Sequence, residues 1–69
     1  MPISKVKLAR LEKGITQIEL ARKVNVTRQT ISLIESGSYN PTLKLCIDLA
    51  EALDKTLDEL FWEGRHHEG

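Results

Sequence analysis

Apolar residues recur along this chain at helical spacing, in short blocks separated by residues that stop helices. From about Ser4 to Lys13 the pattern predicts a first helix. Val6 and Ala9 face inward with Leu8 or Leu11, and Gly14 ends it. Thr16-Gln17-Ile18-Glu19 has the form of a capping box, in which the Thr16 hydroxyl accepts from the Glu19 amide and the Glu19 side chain reaches back. A second helix therefore begins at Gln17, with Leu20, Ala21 and Val24 on one face. Asn25 breaks it, since asparagine tolerates the left-handed backbone of a tight turn. Val26 follows as an apolar plug. Thr27 caps a third helix, Arg28 to about Ser36, with Ile31 and Ile34 inward and Gly37 as its stop.

Ser38-Tyr39-Asn40-Pro41 reads as a loop, with Asn40 held extended by the proline after it. Thr42 caps a fourth helix whose predicted inward residues are Leu43, Cys46, Leu49, Ala50 and Leu53. Thr56-Leu57-Asp58-Glu59 is a second capping box and opens a short fifth helix carrying Leu60 and Phe61. No segment has the pattern of an ordinary strand, and there is no internal repeat. The expected fold is all-α, a five-helix bundle in one domain over residues 1–62, followed by a polar, flexible tail over 63–69.

With 69 residues the chain is near the lower limit for a core that folds without disulfides or metal, and a binding module is favoured over an enzyme. Its one cysteine, Cys46, excludes an internal disulfide or a cysteine zinc cluster and reads as a small core residue in a reduced, intracellular setting. No apolar run approaches the ~20 residues of a membrane span, and no signal-peptide pattern opens the chain, so a cytoplasmic location is expected. His66 and His67, beside Glu63 and Glu68, are adjacent on a flexible tail and do not easily converge on one ion, so they read as solvated rather than as metal ligands. No serine or cysteine has a plausible base and third partner, and neither catalysis nor a cofactor is expected.

The formal net charge is zero, but it is unevenly distributed. Residues 1–44 hold eight basic side chains (Lys5, Lys7, Arg10, Lys13, Arg22, Lys23, Arg28, Lys44) and three acidic ones; residues 45–69 hold two basic and seven acidic. Such asymmetry suits one face for a polyanion and another turned away from it, the alternative being chance in a short chain.

The central feature is a pair of short helices joined by a tight turn, with small Ala21 where they cross. A larger side chain there would force them apart. The third helix then projects its first turn outward beside the amino end of the second. A helix fits the major groove of B-form DNA, and side chains near its amino end reach base edges. Arg28 suits guanine O6 and N7, and Gln29 suits adenine N6 and N7. Thr27 and Thr30 offer a hydroxyl to phosphate or a methyl to thymine, and Ser32 lies further along, within reach of a base or the backbone. Taken singly, Arg28 and Gln29 read as solvated surface residues; their place in the pattern points to DNA. Thr16 and Gln17 lie at the start of the second helix, where free amides favour an anion and a glutamine can clamp a phosphate. Ser38, Tyr39 and Asn40, with Lys44 beyond them, suit a second phosphate.

These segments together (Thr16 to Ala21, Val24 to Ser32, Ile34 to Gly37 and Asn40 to Leu43) resemble the Cro/cI-type (XRE) helix-turn-helix repressor family, with the likeness extending to Phe61. The resemblance implies a five-helix bundle that binds double-stranded DNA, usually as a homodimer on a palindromic operator. It puts the family's phosphate-clamping glutamine at Gln17 and its base-reading positions at Thr27, Arg28, Gln29 and, one turn later, Leu33. Leu33 departs from the pattern, because that place is often polar; it either touches a thymine methyl or does not read sequence. The resemblance also pairs Arg10 with Glu35, the alternative being two independent surface charges. Some short stand-alone members pair strands at their ends, which here would join Met1 to Ser4 with Leu60 to Glu63.

Leu45 and Ile47 are apolar beyond the needs of one helical face, and Trp62 follows the last core aromatic. One module with few phosphate contacts binds weakly at physiological salt, whereas two half-sites combine their affinities. A two-fold homodimer through the fourth and fifth helices is therefore expected, with recognition helices ~34 Å apart. The alternative is that Leu45, Ile47 and Trp62 cover the domain's own core. The expected function is a transcriptional regulator, a repressor that occupies a short palindrome. The alternatives are an antitoxin-type protein or an adaptor whose main role is binding a protein partner.

Overall fold

The computed structural model describes residues 4–62, which form α1 (Lys5–Lys13), α2 (Gln17–Lys23), α3 (Arg28–Glu35), α4 (Leu43–Leu53) and α5 (Leu57–Phe61). Each helix starts the same way. The hydroxyls of Ser4, Thr16, Thr27, Thr42 and Thr56 stand at the N-caps and accept from the amides of Lys7, Glu19, Thr30, Leu45 and Glu59. Each such cap contributes about 1 kcal/mol, a large share of the stability of helices five to eleven residues long. Both capping boxes are complete: the amides of Thr16 and Thr56 donate to Oε1 of Glu19 and Glu59 at 2.7 and 2.8 Å.

The first four helices also end alike. A residue with positive φ stands at Gly14, Asn25, Gly37 and Asp54, and the next amide reaches back five residues: Ile15 to Arg10 O, Val26 to Ala21 O, Ser38 to Leu33 O and Lys55 to Ala50 O. This left-handed closure satisfies carbonyls that the helix end leaves open and turns the chain within two residues. At φ 58° Asp54 adopts a conformation usual for glycine or asparagine. It is the one helix stop that the sequence pattern did not show.

The core is one cluster to which all five helices contribute, centred on Leu20, Ile31 and Leu49, from α2, α3 and α4. Val6 and Ala9 of α1, Ala21 of α2 with Val24 just past its end, Ile34 of α3 and Leu60 of α5 surround these, with Val26 of the α2–α3 turn packed against them. Two predicted phases change. Neither Leu8 nor Leu11 is inward; both are exposed, and Arg10 takes the inward position after Ala9. In α4 the inward row is Leu45, Leu49, Ala50 and Leu53. Leu43, two residues before Leu45 and so roughly 200° around the helix, is 69% exposed, and Cys46 is only half-buried. Leu45 therefore belongs to this domain's own core and is not available to a dimer interface. Burial raises the Cys46 thiol above its ordinary value, and its Sγ lies 3.8 Å from Pro41 O.

Arg10 is buried because it has partners for its charge and its N–H groups. Nε donates to Glu35 Oε2 at 2.6 Å, Nη2 to Glu35 Oε1 at 3.3 Å and Nη1 to the Ile15 carbonyl at 2.9 Å. One guanidinium thus joins α1, the α1–α2 turn and the last residue of α3. The pair of half-buried Lys55 and exposed Glu12 at 3.3 Å adds a second, weaker tie to α1. The ends approach where Lys5 Nζ donates to the Trp62 carbonyl. No strand is present among the described residues. The pairing of Met1–Ser4 with Leu60–Glu63 falls partly on residues 1–3 and 63, outside the described residues, and the tail over 63–69 with His66 and His67 lies there too. No described helix is long and apolar enough to cross a membrane.

Removing one partner of a buried ion pair strands the other charge. Arg10→Ala should cost ~3–5 kcal/mol, against a total of roughly 3–10 kcal/mol for a domain of this length, whereas Arg10→Met/Glu35→Leu should be far milder; urea denaturation of the three proteins measures the difference. The capping boxes make a separate prediction. The Thr16 and Thr56 backbone amides, donating to the Glu19 and Glu59 carboxylates, hold both below the usual glutamate range. A carboxylate whose folded value is depressed stabilises the fold above its unfolded value, and that contribution is lost as pH falls through the folded value. Stability should therefore decline as pH drops below about 4.3, and Glu19→Gln/Glu59→Gln should flatten that part of the thermal-melting profile.

Candidate nucleic-acid interface

The candidate surface is assembled from α2, the turn after it and α3. Ala21 is 3% exposed, buried in the core on α2, and its carbonyl accepts from the Val26 amide at 2.9 Å, which closes the turn between the two helices. Ile31 and Ile34 anchor α3 from beneath. Arg28 and Gln29, three and two positions before Ile31, form the opening turn of α3 ahead of its buried residues, and both are exposed. Leu33 is also exposed, at 39%, while Thr30 and Ser32 are half-buried at the flanks.

The first turn of α3 is organised by hydroxyls. Thr27 Oγ1 accepts from the Thr30 amide at 3.2 Å, and the Thr27 and Thr30 hydroxyls lie 2.9 Å apart. One of the two donates to the other, which leaves a single hydroxyl proton between them for an outside acceptor. Arg28 and Gln29 are thereby the least encumbered donors of the turn. Arg28 is held on one side only, where Nη1 donates to Gln17 Oε1 at 3.1 Å.

The phosphate-binding candidates are less uniform. Gln17, half-buried at the start of α2, receives Arg28 on Oε1 and donates from Nε2 to Glu35 Oε1 at 3.0 Å, with the second Nε2 proton left over. The Thr16 amide is consumed by Glu19 and its Oγ1 accepts from the Glu19 amide, so only its hydroxyl proton remains. The Glu19 carboxylate also opposes an anion at that helix end. Ser38 is exposed and its Oγ lies 3.0 Å from Ser36 Oγ; Tyr39 and Asn40 are exposed. Lys44 is exposed but paired with Asp48 at 2.9 Å, which offsets part of its charge. Glu51, Asp54, Asp58 and Glu59 are exposed on α4, α5 and the turn between them, so the acidic half of the chain is also an acidic part of the surface.

The structure brings Arg10, Gln17, Arg28 and Glu35 into one hydrogen-bonded series. Ser38 to Asn40 and Lys44 stand apart from it, on the loop after α3 and the first turn of α4. Gln17 meets residues eleven and eighteen positions away in the chain. No spacing rule of a single helix reports such a contact. The available signal was chemical: an acceptor-only carboxylate at Glu35 and an amide at Gln17 on helices that must cross.

The helix-turn-helix family profile matches residues 6–60. An HTH-type transcriptional regulator of Archaeoglobus fulgidus is 40% identical over 58 residues, covering 84% of this chain and 83% of the relative. The HTH-type regulator YgzD of Bacillus subtilis is 39% identical over 59 residues, covering 86% and 89%. The immunity repressor protein of Bacillus phage phi105 is 39% identical over 49 residues, covering 71% of this chain and 34% of that longer protein. Matched across nearly the whole described fold, from α1 through α5, this chain belongs to the Cro/cI-type (XRE) helix-turn-helix family of transcriptional regulators.

Proposed function

We propose that this chain binds duplex DNA sequence-specifically and represses transcription as a homodimer on a palindromic operator. The observation that carries the reading is the exposure of Arg28 and Gln29 at the opening of a helix anchored to the core on its other side. In a major groove, Arg28 reads guanine O6 and N7, and Gln29 reads adenine N6 and N7. Leu33 presents an apolar contact suited to a thymine methyl. Thr27, Thr30 and Ser32 supply nearer, shorter hydroxyl contacts. The second Nε2 proton of Gln17 and the Thr16 hydroxyl suit a phosphate at one edge. Ser38, Tyr39, Asn40 and Lys44 suit another at the far edge, fixing register rather than sequence. The acidic surface of α4 and α5 is repelled by the polyanion and favours docking by α2 and α3. That the phage relative is an immunity repressor protein supports the direction of regulation.

Ile47, 40% exposed, and Trp62, 62% exposed, are the apolar groups proposed for the dimer interface, without Leu45. Two half-sites on one face of the duplex convert a weak single contact into a tight double one.

Selection of sites from random duplex DNA should return a palindrome. Arg28→Ala and Gln29→Ala should each relax preference at defined base pairs by about 1–3 kcal/mol. Gln17→Ala and Lys44→Ala should weaken binding whatever the sequence, the latter also reducing the salt slope by about 1. Sedimentation should show Trp62→Ser/Ile47→Ser shifting the protein toward monomer. Parental binding at every position in both reader variants would refute the assignment of α3. Absence of any salt-sensitive DNA binding would favour a protein-binding adaptor.

A further inference from the structure

A run of hydrogen bonds leads from the interior of this domain to its outer surface. Arg10 Nε donates to Glu35 Oε2 at 2.6 Å, Gln17 Nε2 to Glu35 Oε1 at 3.0 Å, and Arg28 Nη1 to Gln17 Oε1 at 3.1 Å. The run has a direction, and Glu35 sets it. A carboxylate paired with a guanidinium has only acceptor positions, so Gln17 must turn its NH2 group toward Glu35. Its carbonyl oxygen is then the atom turned to Arg28, and a guanidinium has only donors. The orientation of a glutamine amide, which is free where its neighbours are hydroxyls or water, is here dictated from both ends.

We propose that Glu35 is a positioning residue for the outer surface of α3. Through Gln17 it fixes where the Arg28 guanidinium stands before a ligand arrives, and it leaves the second Nε2 proton of Gln17 pointing away for a phosphate oxygen. The consequence for DNA rests on the binding reading given above; the positioning itself does not. This task is separate from holding α1 to α3. Arg10 makes its short contact with Oε2, while Oε1 is shared between a longer bond from Arg10 Nη2 at 3.3 Å and the bond from Gln17 at 3.0 Å. Ordering an arginine before binding lowers the entropy lost on contact, which is the general advantage of a preorganised site.

Reversing the polarity tests this. In Glu35→Gln, Arg10 still demands an acceptor, so the new carbonyl turns to Arg10 and the new NH2 faces Gln17. Gln17 flips its amide, and its NH2 opposes the Arg28 guanidinium, donor against donor. Discrimination at the base pair read by Arg28 should fall about fivefold or more. In an Arg28→Gln background, where the side chain both accepts and donates, Glu35→Gln should cause little further loss of discrimination at that base pair. Arg10→Met/Glu35→Leu keeps the interior filled while deleting the acceptor, and it should reproduce the loss if Glu35→Gln does not fold.

A DNA-free measurement separates the two readings. Nitrogen-15 relaxation of the free parent should show the Gln17 side-chain amide ordered, unlike that of exposed Gln29, and either folded variant should release it. A Gln17 amide as mobile as that of Gln29 in the parent overturns the proposal. So does unchanged Arg28 discrimination in a folded variant of a DNA-binding parent. An ordered amide that the variants release, in a parent that binds no duplex, supports the positioning and refutes the DNA reading instead.

Discussion

The buried pair of Arg10 and Glu35 is the constraint on which the arrangement of this small domain turns. Two charges are largely withdrawn from water, and each is so only because the other is there and because Ile15 O and Gln17 take up further hydrogen-bonding positions. The apolar groups of α1 amount to Val6 and Ala9 on its inner face, a thin contribution to a core. What docks this helix in a specific place is a polar contact with strict geometry. An apolar contact of the same size tolerates sliding by an ångström; a guanidinium held on both oxygens of a carboxylate does not. Such a pair is weak evidence for net stability, but it specifies one packing over its neighbours.

That specificity has a functional direction. Glu35 closes α3 and Arg28 opens it, so the same eight-residue helix is gripped at its inner end and presented at its outer end. Between the two, Ile31 and Ile34 hold it to the core, and the crossing with α2 is kept close by Ala21. A surface meant to read a rigid polyanion gains from standing on such a frame, because ordering done during folding is not repeated on binding. In the proposed mode of binding, the acidic side chains of α4 and α5 orient the molecule in the field of that polyanion.

The regularity of helix starts and stops explains why so short a chain folds this way. Five hydroxyl N-caps and four left-handed closures punctuate fifty-nine described residues. Helices of five to eleven residues are not stable alone. Caps satisfy their open ends, and the shared core supplies the remainder. Leu43, Ile47, Leu57 and Trp62 remain exposed after the core is complete, which is the apolar surplus a second protein surface would cover.

By itself the sequence determined where the helices begin and, except at Asp54, where the first four end, together with most of the residues beneath them and the outward placement of Arg28 and Gln29. These depend on local chemistry: a hydroxyl before a helix, a glycine or asparagine after it, and apolar residues three and four apart. The phase of α4 was less legible. Its first turn carries Leu43, Leu45 and Cys46 with similar apolar character, and only packing against the other helices selects Leu45 for burial and leaves Leu43 in solvent. In the same way Leu8 and Leu11 outscore Arg10 on hydropathy, yet Arg10 is the one buried, because its partner comes from twenty-five residues away. The series from Arg10 through Glu35 and Gln17 to Arg28 belongs wholly to tertiary structure. Hydrogen bonds between helices depend on relative position and direction, and no periodicity along one chain contains either.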